Sequence, residues 1–138
     1  MKKLLILPVF ALASCAPTVT QSPTYIDSRT YTTTCAAALD EVARVAPTLR
    51  PASLGGLGTW PPYTVANRNA NTLTLISTST AYSGAFGGLT PITNSTSSVW
   101  SCAEAAGLAA LTVSSTGQRE DFMRAIHNAF FGAITLPK

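Results

Sequence analysis

Ten uncharged, mostly apolar residues, Leu4 to Ala13, follow the cationic start Met1-Lys2-Lys3 and stop just short of a cysteine. That layout is an export signal, and a segment of this kind is removed and takes no part in the fold. As a helix it would reach about 15 Å, half of a hydrocarbon core of roughly 30 Å, so it cannot span a bilayer. No later stretch approaches the ~18 consecutive apolar residues that spanning requires. Whatever the protein builds is therefore expected to be built from residues 15–138, outside the cytoplasm, where thiols oxidise.

Leu12-Ala13-Ser14-Cys15 resembles the lipobox of bacterial lipoprotein precursors. The resemblance implies cleavage after Ser14 and a lipid on Cys15, whose thiol alone can form the required thioether. An ordinary signal could instead use the A-x-A-like Ser14-Cys15-Ala16, but Pro17 would then follow the cut, which suits ordinary signal peptidases badly. The implied partner is a membrane, held through the lipid on Cys15. Ala16 is not Asp, which by the same resemblance implies the outer membrane, facing the periplasm. The expected division is a signal peptide at 1–14, a lipidated cysteine and flexible tether at 15–32, and a single domain at 33–138.

Loss of Lys2 and Lys3 with the signal takes the formal charge from +3 to +1. The basic balance is thus largely an export feature and not a nucleic-acid footprint. Once Cys15 is acylated, Cys35 and Cys102 remain. Two readings are open for them: a disulfide, favoured by the compartment, or two buried thiols acting as small apolar groups. No Cys-x-x-Cys spacing marks a redox pair.

Ala16 to Thr24 has loop chemistry, and about nine flexible residues give a root-mean-square reach of roughly 15–18 Å. Tyr25 to Tyr31 reads as a short leading strand. Cys35, Ala38, Leu39, Val42, Val45, Ala46 and Leu49 form a helical stripe. Thr33 or Thr34 is placed to cap it, Asp40 to pair with Arg44, and Pro47 to end it. Residues 51–62 are rich in Gly and Pro without the Gly-Lys-Ser/Thr ending of a phosphate loop. Residues 63–66 and 72–78 read as strands around a turn, residues 81–97 as a long loop, and residues 98–102 and 108–114 as strands again. Ser115 to Gln118 has capping-box spacing for a second helix, whose apolar face is Phe122, Met123, Ile126, Phe130 and Phe131. Glu120 is placed to pair with Arg124.

The expected fold class is α+β: an antiparallel sheet of about four strands with two helices on one face, in the order helix, two strands, long loop, two strands, helix. The expected core is Leu39, Val42, Val65, Leu73, Leu75, Trp100, Leu111, Val113, Phe122, Ile126 and Phe130. The lipobox together with this element order resembles small envelope lipoproteins carrying BamC-like helix-grip domains. That resemblance implies a role in envelope assembly or scaffolding and carries over no catalytic residue.

Chemistry-bearing groups are few. His127 is the single histidine and reads as a boundary residue of the second helix. A zinc site needs three or four ligands, which one histidine and two paired cysteines cannot supply. No Gly-x-Ser-x-Gly or Ser-x-x-Lys motif occurs. Asp40-Glu41 and Glu120-Asp121 are helix neighbours whose side chains diverge by about 100° and read as solvated faces. The reading is therefore no catalytic residue, no metal, no cofactor and no nucleic-acid partner. Three functions stay open: a binding or scaffolding module with an unidentified envelope protein partner, a small-ligand carrier using Trp60, Tyr63, Tyr82 and Phe86, or a small envelope enzyme. A packed core with an open sheet face favours the first, a wide apolar cavity the second, and converging Asp, Glu and His in a cleft the third.

Overall fold

A computed structural model of the chain describes residues 24–50, 61–84, 87–116 and 119–138. Cys15 and the signal, Trp60 and Phe86 lie outside these residues. In chain order the elements are β1 (Thr24–Tyr31), α1 (Cys35–Val45), β2 (Thr64–Arg68), β3 (Thr72–Ser83), β4 (Thr90–Ala105), β5 (Leu108–Thr116) and α2 (Glu120–Ala133). The strands form one five-stranded sheet in the order β1-β5-β4-β3-β2, antiparallel throughout. The α+β class holds, and the leading strand read at Tyr25–Tyr31 joins the four expected strands in the sheet as a fifth. Residues 24–31, counted with the tether in the division at residue 33, belong to the sheet as its β1 edge. No helix among the described residues is long and apolar enough to cross a membrane.

α1 forms where the stripe places it and buries Cys35, Ala38, Leu39, Val42 and Val45. The Thr34 side chain caps it by accepting from the Ala37 N–H at 3.2 Å, satisfying one of the four N–H groups a helix start leaves without an intrahelical acceptor. A second goes to Glu104 of β4, whose carboxylate accepts from the Cys35 N–H at 2.8 Å. After Val45 the chain tightens into a 3-10 turn, Ala46–Thr48, around Pro47. Arg44 pairs with Glu41 instead of Asp40, because its planar fork donates from both Nε (2.7 Å) and Nη2 (2.6 Å) to one carboxylate. Asp40 reaches Arg68 of β2 at 2.8 Å.

The hairpin turns follow backbone chemistry. Asn69 Oδ1 accepts from the N–H groups of Asn71 (3.1 Å) and Thr72 (2.8 Å), closing the β2–β3 turn. Between β4 and β5, Ala106 (φ 51°) and Gly107 (φ 74°) both adopt positive φ, as a two-residue type I′ hairpin requires. Glycine accepts that geometry freely, whereas Ala106 carries a Cβ penalty.

Three expectations give way. The long loop at 81–97 does not exist: β3 runs to Ser83, β4 starts at Thr90, and the two pair continuously from Thr72↔Ser101 to Ser83↔Thr90. Gly84, Gly87, Gly88 and Pro91 look like loop residues in sequence, but the ladder continues past Pro91 up to a glycine-rich end. The capping box at 115–118 also fails. Ser115 faces the core from β5, the cap of α2 is Arg119, and no side chain bonds there. Finally, Val65 is 48% exposed although it pairs with fully buried Leu75. β2 is a short edge strand with a bulge between Val65 and Asn67, and Tyr63 just before it fills the core instead.

The core lies between the sheet and both helices. Trp100 of β4 is fully buried and meets Phe130 and Phe131 of α2, with ring centroids 5.2 and 5.4 Å apart. Tyr63 meets Phe130 edge-on at 5.3 Å, a favoured arrangement of ring quadrupoles. Leu39, Val42, Leu73, Leu75, Leu111, Val113, Ile126 and Phe130 are buried as expected, while Phe122 is half-buried at the margin. Cys35 and Cys102 are bonded, with Cα atoms 5.5 Å apart, joining the start of α1 to β4.

Candidate functional site

Two features of this framework bear on function, one inside the molecule and one on its surface. The inner one is a polar layer within the helix-covered side. Towards one end of the sheet the apolar ladder gives way to Ser77, Ser79, Thr96, Ser98 and Ser115, all buried. Ser98 Oγ and Ser115 Oγ lie 2.9 Å apart, and Ser115 Oγ lies 2.9 Å from His127 Nε2. His127 is thus no boundary residue: α2 turns it inward, fully buried, with its ring 5.0 Å from that of Tyr25.

A serine bonded to a histidine has the outline of an activated nucleophile. The surroundings do not complete that arrangement. Among the described residues His127 Nδ1 has no hydrogen-bond partner to orient the ring, and both Ser115 and His127 are buried. Burial pulls the imidazole pKa down to about 4, against a smaller opposing pull from the Asp27 carboxylate. Ser98, Ser115 and His127 form a buried hydrogen-bond chain. Tyr63 belongs to the same layer. Its hydroxyl lies near those of Thr96 and Ser98 without a hydrogen bond of normal length, and burial pushes its pKa up to about 12.

The depressed histidine predicts a pH dependence of stability. Below pH about 6.5 the unfolded chain takes up a proton that folded His127 refuses until pH about 4. Stability is therefore fully present above the unfolded value and is lost as pH falls through this window, by about 3 kcal/mol. Urea unfolding at pH 7, 5.5 and 4 measures the loss. Most of it should be missing in His127→Leu, leaving the smaller loss near pH 4 that comes from Glu41, whose folded pKa is about 2; an equal slope in parent and variant would contradict the assignment.

The carboxylates do not converge. Asp40, Glu120 and Asp121 are exposed and paired with Arg68, Arg124 and Arg119 respectively. Glu41 is the exception to the solvated-face expectation. Besides Arg44 it accepts from the Thr135 N–H (3.1 Å) and hydroxyl (2.9 Å), so it ties α1 to the segment after α2. Its pKa falls to about 2, chiefly through the Arg44 hydrogen bond. Among the described residues, no three His, Cys, Asp or Glu side chains gather as metal ligands would.

The outer feature is the sheet face opposite the helices. Register defines its rows: Thr24, Thr116, Ser97, Ile76 and Thr64; then Ile26, Ser114, Val99, Thr74 and Asn67; then Ser28, Thr112, Ser101 and Thr72; then Thr30, Ala110 and Ala103. No charged residue stands on it. Every charged strand residue (Asp27, Arg29, Arg68 and Glu104) lies on the helix side, where Arg29 covers the Phe131 ring and Arg68 and Glu104 bind α1. Ile26, Val99 and Ile76 are exposed in this field of hydroxyls, and the five strands span about 19 Å.

The hydroxyl-rich face was not foreseen in the residue patterns, although alternate Ser and Thr in β3, β4 and β5 do encode it. Of the four aromatic residues considered for ligand contact, Tyr63 is core, Tyr82 is 67% exposed, and Trp60 and Phe86 lie outside the described residues. No known family profile matches the chain, and no curated protein sequence matches it.

Proposed function

We propose that this chain is a lipid-anchored protein of the bacterial envelope that acts by binding, with the uncharged sheet face as its recognition surface. The observation that carries the reading is the inverted charge pattern, in which strand charges sit on the helix side and the open face has none. A partner docking there desolvates no ion, and rows of hydroxyls exchange water for partner hydrogen bonds at small net cost. Ser, Thr and exposed Val and Ile on a single plane suit recognition, whereas the deeply placed Ser115 and His127 lack access to a substrate. The lipobox resemblance at Cys15 supports the anchor.

The test has two parts. Mass spectrometry of the membrane fraction should find the mature terminus at Cys15 carrying lipid; an unmodified terminus elsewhere would remove the anchor from the proposal. A photo-crosslinking residue at Ser101, in the middle of the open face, should capture a discrete envelope protein. The same group at Arg44, on the outer side of α1, should not. Equal capture at both positions would leave the face without a role.

A further inference from the structure

β5 stops pairing with β4 at Ser97, and β2 stops pairing with β3 at Thr64↔Ile76. Beyond that row, residues 77–83 and 90–96 pair with each other alone among the described residues, so β3 and β4 project as a two-stranded arm. Seven residues of strand carry it about 23 Å past that row, with its base still covered on the helix side, where Ser77, Ser79 and Thr96 are buried. A two-stranded hairpin is marginal in water, and this one ends in exposed apolar groups: Tyr82 is 67% and Leu89 75% exposed. Between them the sequence carries three glycines, Gly84, Gly87 and Gly88. Gly87 has φ +93°, and a Cβ on Gly84 would meet the Gly88 carbonyl at 3.0 Å. Tyr82 and Leu89 flank this glycine-rich tip with large exposed side chains. From Asn69 to Ala103 the sequence has no Lys, Arg, Asp, Glu or His.

The register shows which way the arm points. Thr24 pairs with Thr116, which pairs with Ser97, so the start of β1 lies at the end of the sheet from which the arm leaves. β1 runs parallel to β4, so the chain preceding Thr24 enters from the arm's side. Cys15 is nine residues upstream. Nine residues reach roughly 15–18 Å as a coil and about 30 Å at full extension, which brackets the length of the arm. An anchor on Cys15 and the tip of the arm thus reach the same plane.

We infer that the tip of the β3–β4 arm is a membrane-contact site: Tyr82 and Leu89 enter the headgroup region of the bilayer in which Cys15 is anchored. The inference rests on the lipid-anchor reading above. An uncharged ribbon pays no ionic desolvation on entering the interface, and a tyrosine suits that layer because its ring is apolar and its hydroxyl wet. Two points of contact, one covalent lipid and one protein tip, would hold the strands upright on the bilayer and present the open face sideways to the envelope space.

The experiment uses the full lipidated chain in vesicles of phosphatidylethanolamine and phosphatidylglycerol. Tyr82→Cys, Leu89→Cys and Leu108→Cys, each labelled with an environment-sensitive dye, are compared for quenching by a headgroup-labelled spin-probe lipid. Leu108 is 44% exposed in the β4–β5 hairpin at the opposite end of the sheet. Loss of emission is expected at 82 and 89 and none at 108, with melting temperatures of all three unchanged from the parent. Equal emission at all three positions overturns the inference, as does photo-crosslinking from position 82 or 89 to a protein in place of lipid. The mass of Cys15, measured on the same sample, separates the two readings. Quenching at the tip with Cys15 unmodified sinks the anchor and keeps the contact site, whereas lipidated Cys15 without quenching does the reverse.

Discussion

Leu75→Asp is expected to unfold the domain, while Val65→Asp, its direct partner across the ladder, leaves it folded. The two residues share a face and a register position, yet Leu75 is fully buried and Val65 is 48% exposed. Removing the leucine side chain from a closed core costs about 3–5 kcal/mol, and a buried carboxyl without a partner adds about 1–3 kcal/mol even when neutral. That total approaches the whole stability of an ordinary domain, about 5–15 kcal/mol. At Val65 the carboxylate stays hydrated at the open edge of β2, and the change should remain within about 1 kcal/mol. Circular dichroism and urea titration of both variants decide it. Comparable unfolding in both would mean that β2 is packed more deeply than its exposed strand implies.

Breaking the Cys35–Cys102 bond is expected to cost nearly as much. The bridge closes a loop with a sequence separation of 67. In the chain-entropy treatment, a loop of this length restricts the unfolded chain by roughly 4 kcal/mol. A Cys35→Ser/Cys102→Ser double variant should melt on the order of 15 °C below the parent, and dithiothreitol should produce a similar fall in the parent. The site adds a second tie at the same place: the Glu104 carboxylate accepts from the Cys35 N–H, so Glu104→Gln should weaken the start of α1 by about 1 kcal/mol. An unchanged melting temperature in the double variant would show that the bridge constrains little that the packed core does not already hold.

How far these features were legible depends on how local their cause is. The α1 stripe, its Thr34 cap, the Pro47 terminator and the Asn69 and Gly107 turns are set within a few residues, and each is readable along the chain. The core faces of β3, β4 and β5 were legible because Leu73 and Leu75, Trp100 and Cys102, and Leu111 and Val113 alternate with polar residues at strand period. The pairing of the two cysteines was narrowed by compartment and count before any distance was known.

The remainder is non-local. β1 is legible as a short strand, but its place at the sheet edge is not, because its ladder comes from β5, from Thr24↔Thr116 to Tyr31↔Ala109, more than seventy residues away. The arm looks like a loop because glycine and proline lower local strand propensity, which continuous β3–β4 pairing overrides. His127 looks like a marginal helix residue until Ser115, twelve positions earlier, turns inward to bond it. The charge-free open face arises only when five strands are set in register, because each contributes just one to four hydroxyl or small side chains to it. By itself the chain determined most of its elements and most of its core. Tertiary structure alone decided which strand lies at the edge, which polar groups are buried, and that the arm and the start of β1 leave the sheet at the same end, because those follow from pairings between residues far apart in sequence.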